Sequence, residues 1–177
     1  MRLKFLALAC SSVFALACSG GAATNSPTPE SKEAAAPASP PAPPAQMVRV
    51  EAPGVEARRG ASAGGEVRLA VAAGFHVNAN PASEKYLIPT ELKIEPAEGI
   101  EIGAVAYPES VTRPFSFSEK PLAVYEGDVR IKFAFKVRPG APSGEHTLRA
   151  RVRYQACDDA QCYPPKSAET SVSVRVN

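Results

Sequence analysis

From Met47 to Asn177, apolar and polar residues alternate with a period of two, and this leaves little room for anything but β-structure. Val129, Ile131, Phe133, Phe135 and Val137 interleave with Arg130, Lys132, Ala134 and Lys136. Val67, Leu69 and Val71 do the same around Arg68, and so do Leu148, Ala150, Val152 and Tyr154, and Val172, Val174 and Val176. Successive side chains of a strand point to opposite faces, so each run reads as a strand with one buried face. Shorter candidates are Val48 to Glu51, Phe75 to Asn78, Glu91 to Glu95, Ile100 to Tyr107 and Leu122 to Tyr125.

Turn signals punctuate these runs at Gly64-Gly65, Asn80-Pro81, Glu98-Gly99, Glu126-Gly127-Asp128 and Pro139-Gly140. No stretch sustains a period of 3.6 with a cap, so few or no helices are expected. About eight short strands over residues 47–177 predict an all-β chain, an antiparallel β-sandwich of immunoglobulin-like type.

The preceding residues have a different composition. Residues 19–46 contain seven prolines and no aromatic, Val, Ile, Leu or Met. Such a segment cannot bury enough apolar surface to offset its ordering entropy and reads as a tether. Pro-rich chain extends by about 3.1 Å per residue, so the tether reaches up to roughly 80 Å. Residues 1–17 read as a signal peptide: Arg2 and Lys4 precede an apolar run that is too short for a transmembrane helix.

The leader ends in Ala15-Leu16-Ala17-Cys18, which resembles the lipobox of bacterial lipoproteins and makes Cys18 the candidate lipidation site. Plain secretion after Ala17 is the alternative, giving a soluble periplasmic protein. Either route places the domain in the cell envelope, where disulfides persist. Ser19 is not the aspartate that often retains lipoproteins at the inner membrane, which points the anchor to the outer one.

Charge narrows the partners. The chain has 20 basic and 18 acidic residues, and removing Arg2 and Lys4 with the leader balances them. A neutral domain is not built for nucleic acid. Arg149, Arg151 and Arg153, like Arg130, Lys132 and Lys136, read as solvated sheet faces.

Two cysteines remain in the domain, in Tyr154-Gln155-Ala156-Cys157-Asp158-Asp159-Ala160-Gln161-Cys162-Tyr163-Pro164-Pro165-Lys166. Four intervening residues let the chain fold back far enough for a disulfide. Spacing alone leaves open a passive clip or an exchangeable bond, although so short a loop constrains the unfolded chain little. His76 and His146 do not complete a metal-ligand set at any recognised spacing, so neither metal nor cofactor is expected.

This cysteine segment, with its Tyr-Pro-Pro tail, resembles the active-site segment of the N-terminal periplasmic domain of DsbD, the thiol:disulfide interchange protein. Gly74-Phe75-His76-Val77-Asn78-Ala79-Asn80 and Leu87-Ile88-Pro89-Thr90-Glu91-Leu92 extend the likeness upstream. The cysteine spacing is one residue shorter than in the best-known members.

The resemblance implies an immunoglobulin-like domain whose cysteine pair shuttles between dithiol and disulfide. Reducing equivalents would pass from a membrane thiol-disulfide carrier, encoded separately because this chain lacks the membrane part, to oxidised periplasmic or exported proteins. It further implies that Cys162 is the sulfur attacked and Cys157 the resolving one. An aromatic cap over the bond is implied as well, and falls here on Arg113 to Lys120, with Phe117 the first candidate, Phe115 the second and Tyr125 on the strand that follows. Ordinary core packing is the alternative role of these phenylalanines.

Near-site modulators are expected at Asp158 and Asp159, whose charge disfavours a nearby thiolate, at Lys166, which would act oppositely, and at Tyr163 and His76. His76 is alternatively a satisfied polar residue at a sheet edge. The competing function is a non-catalytic immunoglobulin-like binding lipoprotein in which Cys157 and Cys162 form a structural disulfide.

Overall fold

The computed structural model describes residues 46–177. The leader, Cys18 and the tether lie outside the described residues. The described chain is all β, with twelve strands and no helix.

Two four-stranded sheets face each other in the immunoglobulin-like manner. One runs β1 (Val48–Glu51), β3 (Ser62–Val71), β9 (Asp128–Val137), β6 (Ile100–Ala106), and the other β2 (Val55–Ala57), β12 (Lys166–Val176), β10 (Gly144–Tyr154), β5 (Glu91–Ile94). Strand β9 alternates exposed and buried over its whole length. Its buried residues meet Val67 and Leu69 of β3 and, across the sandwich, Leu148, Val152, Val172 and Val174. The arginines and lysines of β9 and β10 lie on the solvated faces.

The all-β, immunoglobulin-like sandwich expected from the sequence is present, and its details differ in three respects. Strand β2 pairs with β12 in parallel. Gly64-Gly65 is no turn but lies within β3, opposite Ala134 and Phe133. A Cβ on Gly65 would sit 2.4 Å from the Phe133 ring, so the glycine is there to let that ring lie across the strand. Finally, a third sheet is present, in the order β11 (Ala156–Cys157), β4 (His76–Asn78), β8 (Leu122–Tyr125), β7 (Val111–Arg113).

The third sheet begins where β10 ends, with only Gln155 between Tyr154 and the start of β11. Its two faces have separate roles. Ala156, Val77 and Tyr125 align across it and join the main core. The opposite face, carrying Cys157, His76, Asn78 and Val124, supports a second apolar cluster of Leu87, Phe115, Leu122 and Val124.

Candidate active site

Residues 157–162 form a tight hairpin at the β11 edge of the third sheet. Cys157 and Cys162 are directly opposed, flanked by Tyr163 N donating to Ala156 O at 2.8 Å and Asp158 N donating to Gln161 O at 2.9 Å. This pattern makes them a non-hydrogen-bonded pair, the position where facing side chains come closest in an antiparallel ladder. Their Cα atoms are 4.0 Å apart and the sulfurs are joined at 2.01 Å. Cys157 is fully buried, whereas Cys162 is half-buried against the second apolar cluster.

Asp158 closes the hairpin. Its carboxylate accepts from Ala160 N at 2.9 Å, Gln161 N at 2.8 Å and the Tyr163 hydroxyl at 2.6 Å. The Tyr163 bond, with the two amides behind it, holds this carboxyl below the usual aspartate range, and the same bond raises the tyrosine hydroxyl. Asp158 thus scaffolds the hairpin while remaining a charged group beside the cysteine pair. Asp159 is exposed and contributes its backbone carbonyl. Lys166 is exposed at the start of β12, opposite Tyr154, and its amine makes no ion pair among the described residues.

Behind the hairpin lies a polar network that sequence reasoning did not assign to the site. Asn78 Nδ2 donates to Ile88 O and Gln155 Oε1, both at 3.1 Å. Gln155 Oε1 also accepts from Ile88 N, and its Nε2 donates to Tyr163 O at 3.2 Å. Thr90 Oγ1 donates to Asn78 O at 2.7 Å. These bonds join β4, the 87–90 segment and the root of the cysteine hairpin.

The segment expected to cap the bond is the connection from β7 to β8, which starts at the far edge of the sheet from the cysteines. It turns at Phe115, whose carbonyl accepts from Ser118 N at 3.2 Å, and Ser116 Oγ donates to Asp159 O at 2.8 Å. The loop thus arches across β8 and β4 to the tip of the cysteine hairpin. Phe115 is buried and stacks on the His76 ring at 4.1 Å, and Phe117 stacks on Phe115 at 5.3 Å. Both phenylalanines belong to the cluster against which Cys162 packs, apart from the main core.

Tyr125 does not belong to this cap. It lies opposite Val77 on the core face, and its hydroxyl accepts from Asn80 N at 3.1 Å and donates to Asn80 O at 3.4 Å. Its neighbour Val124 takes the cap-facing position instead. Parity along β8 decides this: adjacent residues of a strand face opposite ways.

His76 also departs from expectation. Strand β4 is internal, between β11 and β8, and His76 is buried with no hydrogen-bond partner at Nε2. Burial pushes its imidazole below the ordinary histidine range, against a raising pull from Glu126, Asp159 and Asp158. Among the described residues no group of three or more His, Cys, Asp or Glu is placed to hold a metal ion, and no helix is long and apolar enough to cross a membrane.

No curated protein matches this chain. Among solved structures it is similar to the reduced N-terminal domain of DsbD from Neisseria meningitidis, at 20% identity and TM-score 0.49, over 76% of this chain and 90% of that one. The same domain in complex with the PilB N-terminal domain matches at 19% identity and TM-score 0.47, over 73% and 85%. The N-terminal periplasmic domain of ScsB from Proteus mirabilis matches at 11% identity and TM-score 0.45, over 72% and 45%. A model of the family described as thiol:disulfide interchange protein DsbD, N-terminal, matches residues 40–173, so this chain belongs to the family of DsbD N-terminal domains.

Proposed function

We propose that this protein is a dithiol/disulfide carrier of the cell envelope, taking reducing equivalents from a membrane thiol-disulfide carrier and passing them to oxidised exported proteins. Family membership and a closed cysteine pair support thiol-disulfide exchange in general. The observation that carries the finer reading is the asymmetry of the pair: Cys157 is fully buried, while Cys162 is half-buried beneath an aromatic cap that is separate from the main core.

Exchange proceeds by thiolate attack on one sulfur of a disulfide, through a mixed disulfide. In this reading the dithiol form attacks a partner's disulfide with Cys162. Cys157 then attacks Cys162, re-forming the intramolecular bond and releasing the partner as a dithiol. Phe115 and Phe117 act as a lid that a docked partner displaces. Acylation at Cys18 would hold the domain on a membrane, with residues 19–46 as its leash.

The test is the equilibrium reduction potential of the pair in the full chain, with the thiol state of each cysteine read by peptide mass spectrometry. A value between about −120 and −270 mV is expected, together with a mixed disulfide to an exported protein trapped through Cys162 in a Cys157→Ala variant. A value well below about −300 mV would make the bond structural and the domain a binding module.

A further inference from the structure

The carrier reading leaves one step without a proton acceptor. When Cys157 resolves a mixed disulfide its thiol must lose a proton, yet the residue is fully buried. In the closed protein the residue has no contact with solvent, and the thiolate is the attacking species.

His76 occupies the position such an acceptor needs. It is the direct cross-strand partner of Cys157, so both side chains project from the same face of the third sheet. Facing Cβ atoms of a ladder pair lie about 4.5–5.5 Å apart, within reach of an imidazole. Only 3% of His76 is exposed, its Nε2 has no partner, and Phe115 stacks on the ring at 4.1 Å. Asn78 Oδ1, on the same face, also lacks a partner, so what singles out His76 is a ring nitrogen free of other hydrogen bonds on the residue paired directly with Cys157.

We propose that His76 is the proton acceptor for Cys157 in the step that closes the disulfide; this rests on the carrier reading above. The Cys157 thiol proton passes to His76 and the resulting thiolate attacks Cys162 Sγ. The Cys157–Cys162 bond forms as the bond from Cys162 to the partner's sulfur breaks. The partner leaves as a thiolate and takes up a proton from the imidazolium or from solvent. In the reverse direction His76, protonated, gives its proton to the departing Cys157. The base must be neutral to act, and burial favours the neutral ring over the opposing pull of Glu126 beyond β8 and of Asp158 and Asp159 on the hairpin. Tyr125 on β8 faces the other side of the sheet, and Arg113 on β7 is paired with Glu126 at 2.8 Å.

The experiment reacts the dithiol form of the full chain with an aromatic disulfide that places thionitrobenzoate on the accessible cysteine. Acid quenching and peptide mass spectrometry then separate adduct formation from closure, at pH 6 to 8. With a neutral base in place, wild-type closure is expected to be nearly level from pH 7 to 8. General-base catalysis is commonly worth about 10²–10⁴-fold, so His76→Gln should slow closure at pH 7 at least about tenfold. Its rate should then climb about tenfold per pH unit, as an unassisted thiol of pKa near 8.5 requires. Adduct formation should not slow, since losing the His76–Phe115 stack can only loosen the cap over Cys162.

Closure at the wild-type rate and with the wild-type profile in His76→Gln would overturn the proposal. If that variant does not fold, the wild-type profile decides alone, since a tenfold rise per unit from pH 6 to 8 excludes a neutral buried base. Absence of adduct or closure in the wild type would instead remove the carrier reading, and this inference with it.

Discussion

The proposed cap is held against the cysteine hairpin by contacts that can be removed one at a time, and Ser116→Ala removes the smallest. Ser116 Oγ bonds to the Asp159 carbonyl at 2.8 Å, tying the loop to the hairpin tip. The residue is exposed, so alanine opens no cavity. An intramolecular hydrogen bond is worth about 0.5–1.5 kcal/mol net, and one facing water belongs near the lower end, about 0.5–1 kcal/mol. If a small thiol reaches the bond only when the cap lifts, the observed reduction rate is the lifted fraction times an intrinsic rate. Losing 0.5–1 kcal/mol from the closed state then multiplies the rate about 2- to 5-fold. Phe115→Ala removes two ring contacts, at 4.1 and 5.3 Å. At about 0.5–1.5 kcal/mol each, their loss predicts a rate about 5- to 150-fold above wild type before any change in burial. The assay is the pseudo-first-order rate of reduction by excess dithiothreitol, far below the melting temperature, with closed and open pairs counted by mass spectrometry. The rates should rank wild type, Ser116→Ala, Phe115→Ala. Equal rates in all three would mean that reductant reaches the sulfurs without moving the cap, and the lid argument fails.

Two further outcomes follow from the scaffold. In Tyr163→Phe the strongest influence depressing the Asp158 carboxyl is gone, so its titration midpoint should rise toward the ordinary aspartate range in a carbon-detected NMR titration; an unmoved midpoint refutes the assignment. The linkage has a definite sign: a depressed folded-state pKa supplies stability that is present above the unfolded value and lost as pH falls through the folded one, so wild type should lose more hairpin order in acid than Tyr163→Phe. Gly65→Ala places a Cβ 2.4 Å from the Phe133 ring, and overpacking of this kind costs about 1–3 kcal/mol. Thermal melting should drop by several degrees with the reduction potential unchanged, and an unshifted melt would mean that the ring moves freely.

How much of this was legible in the sequence depends on how much each segment reveals by itself. Strands β9, β10 and β12 show their period because one face is buried and the other wet along most of their length. Strand β7 is exposed at all three residues and β11 has only two, so neither carries a period to read. Strand β2 is held by parallel pairing to the far end of the chain, which local pattern does not encode. Gly64-Gly65 shows the opposite failure, a strong local signal overridden by a distant ring. The third sheet was missed as a unit because it is assembled from four short pieces drawn from residues 76–157.

The site divides in the same way. Cys157, Cys162 and the two phenylalanines stand out as residue types, but Tyr125 was assigned to the wrong face because its orientation depends on a register with β4 that the sequence does not state. Asp158 looked like a charge acting on sulfur, and only the hairpin geometry turns its oxygens onto the Ala160 and Gln161 amides and the Tyr163 hydroxyl. The burial of His76 was invisible because it is produced by a loop about 40 residues away, whose Phe115 lies on the ring. These differences share a cause. If the pair exchanges as proposed, its disulfide must be both protected and reachable, and it cannot sit in the main core, where opening it would cost global stability, nor on an uncovered edge. In that reading, its place on the outer face of a small third sheet would let the cap be lifted while the sandwich behind stays closed, because the cap cluster and the main core share a sheet but occupy opposite faces of it.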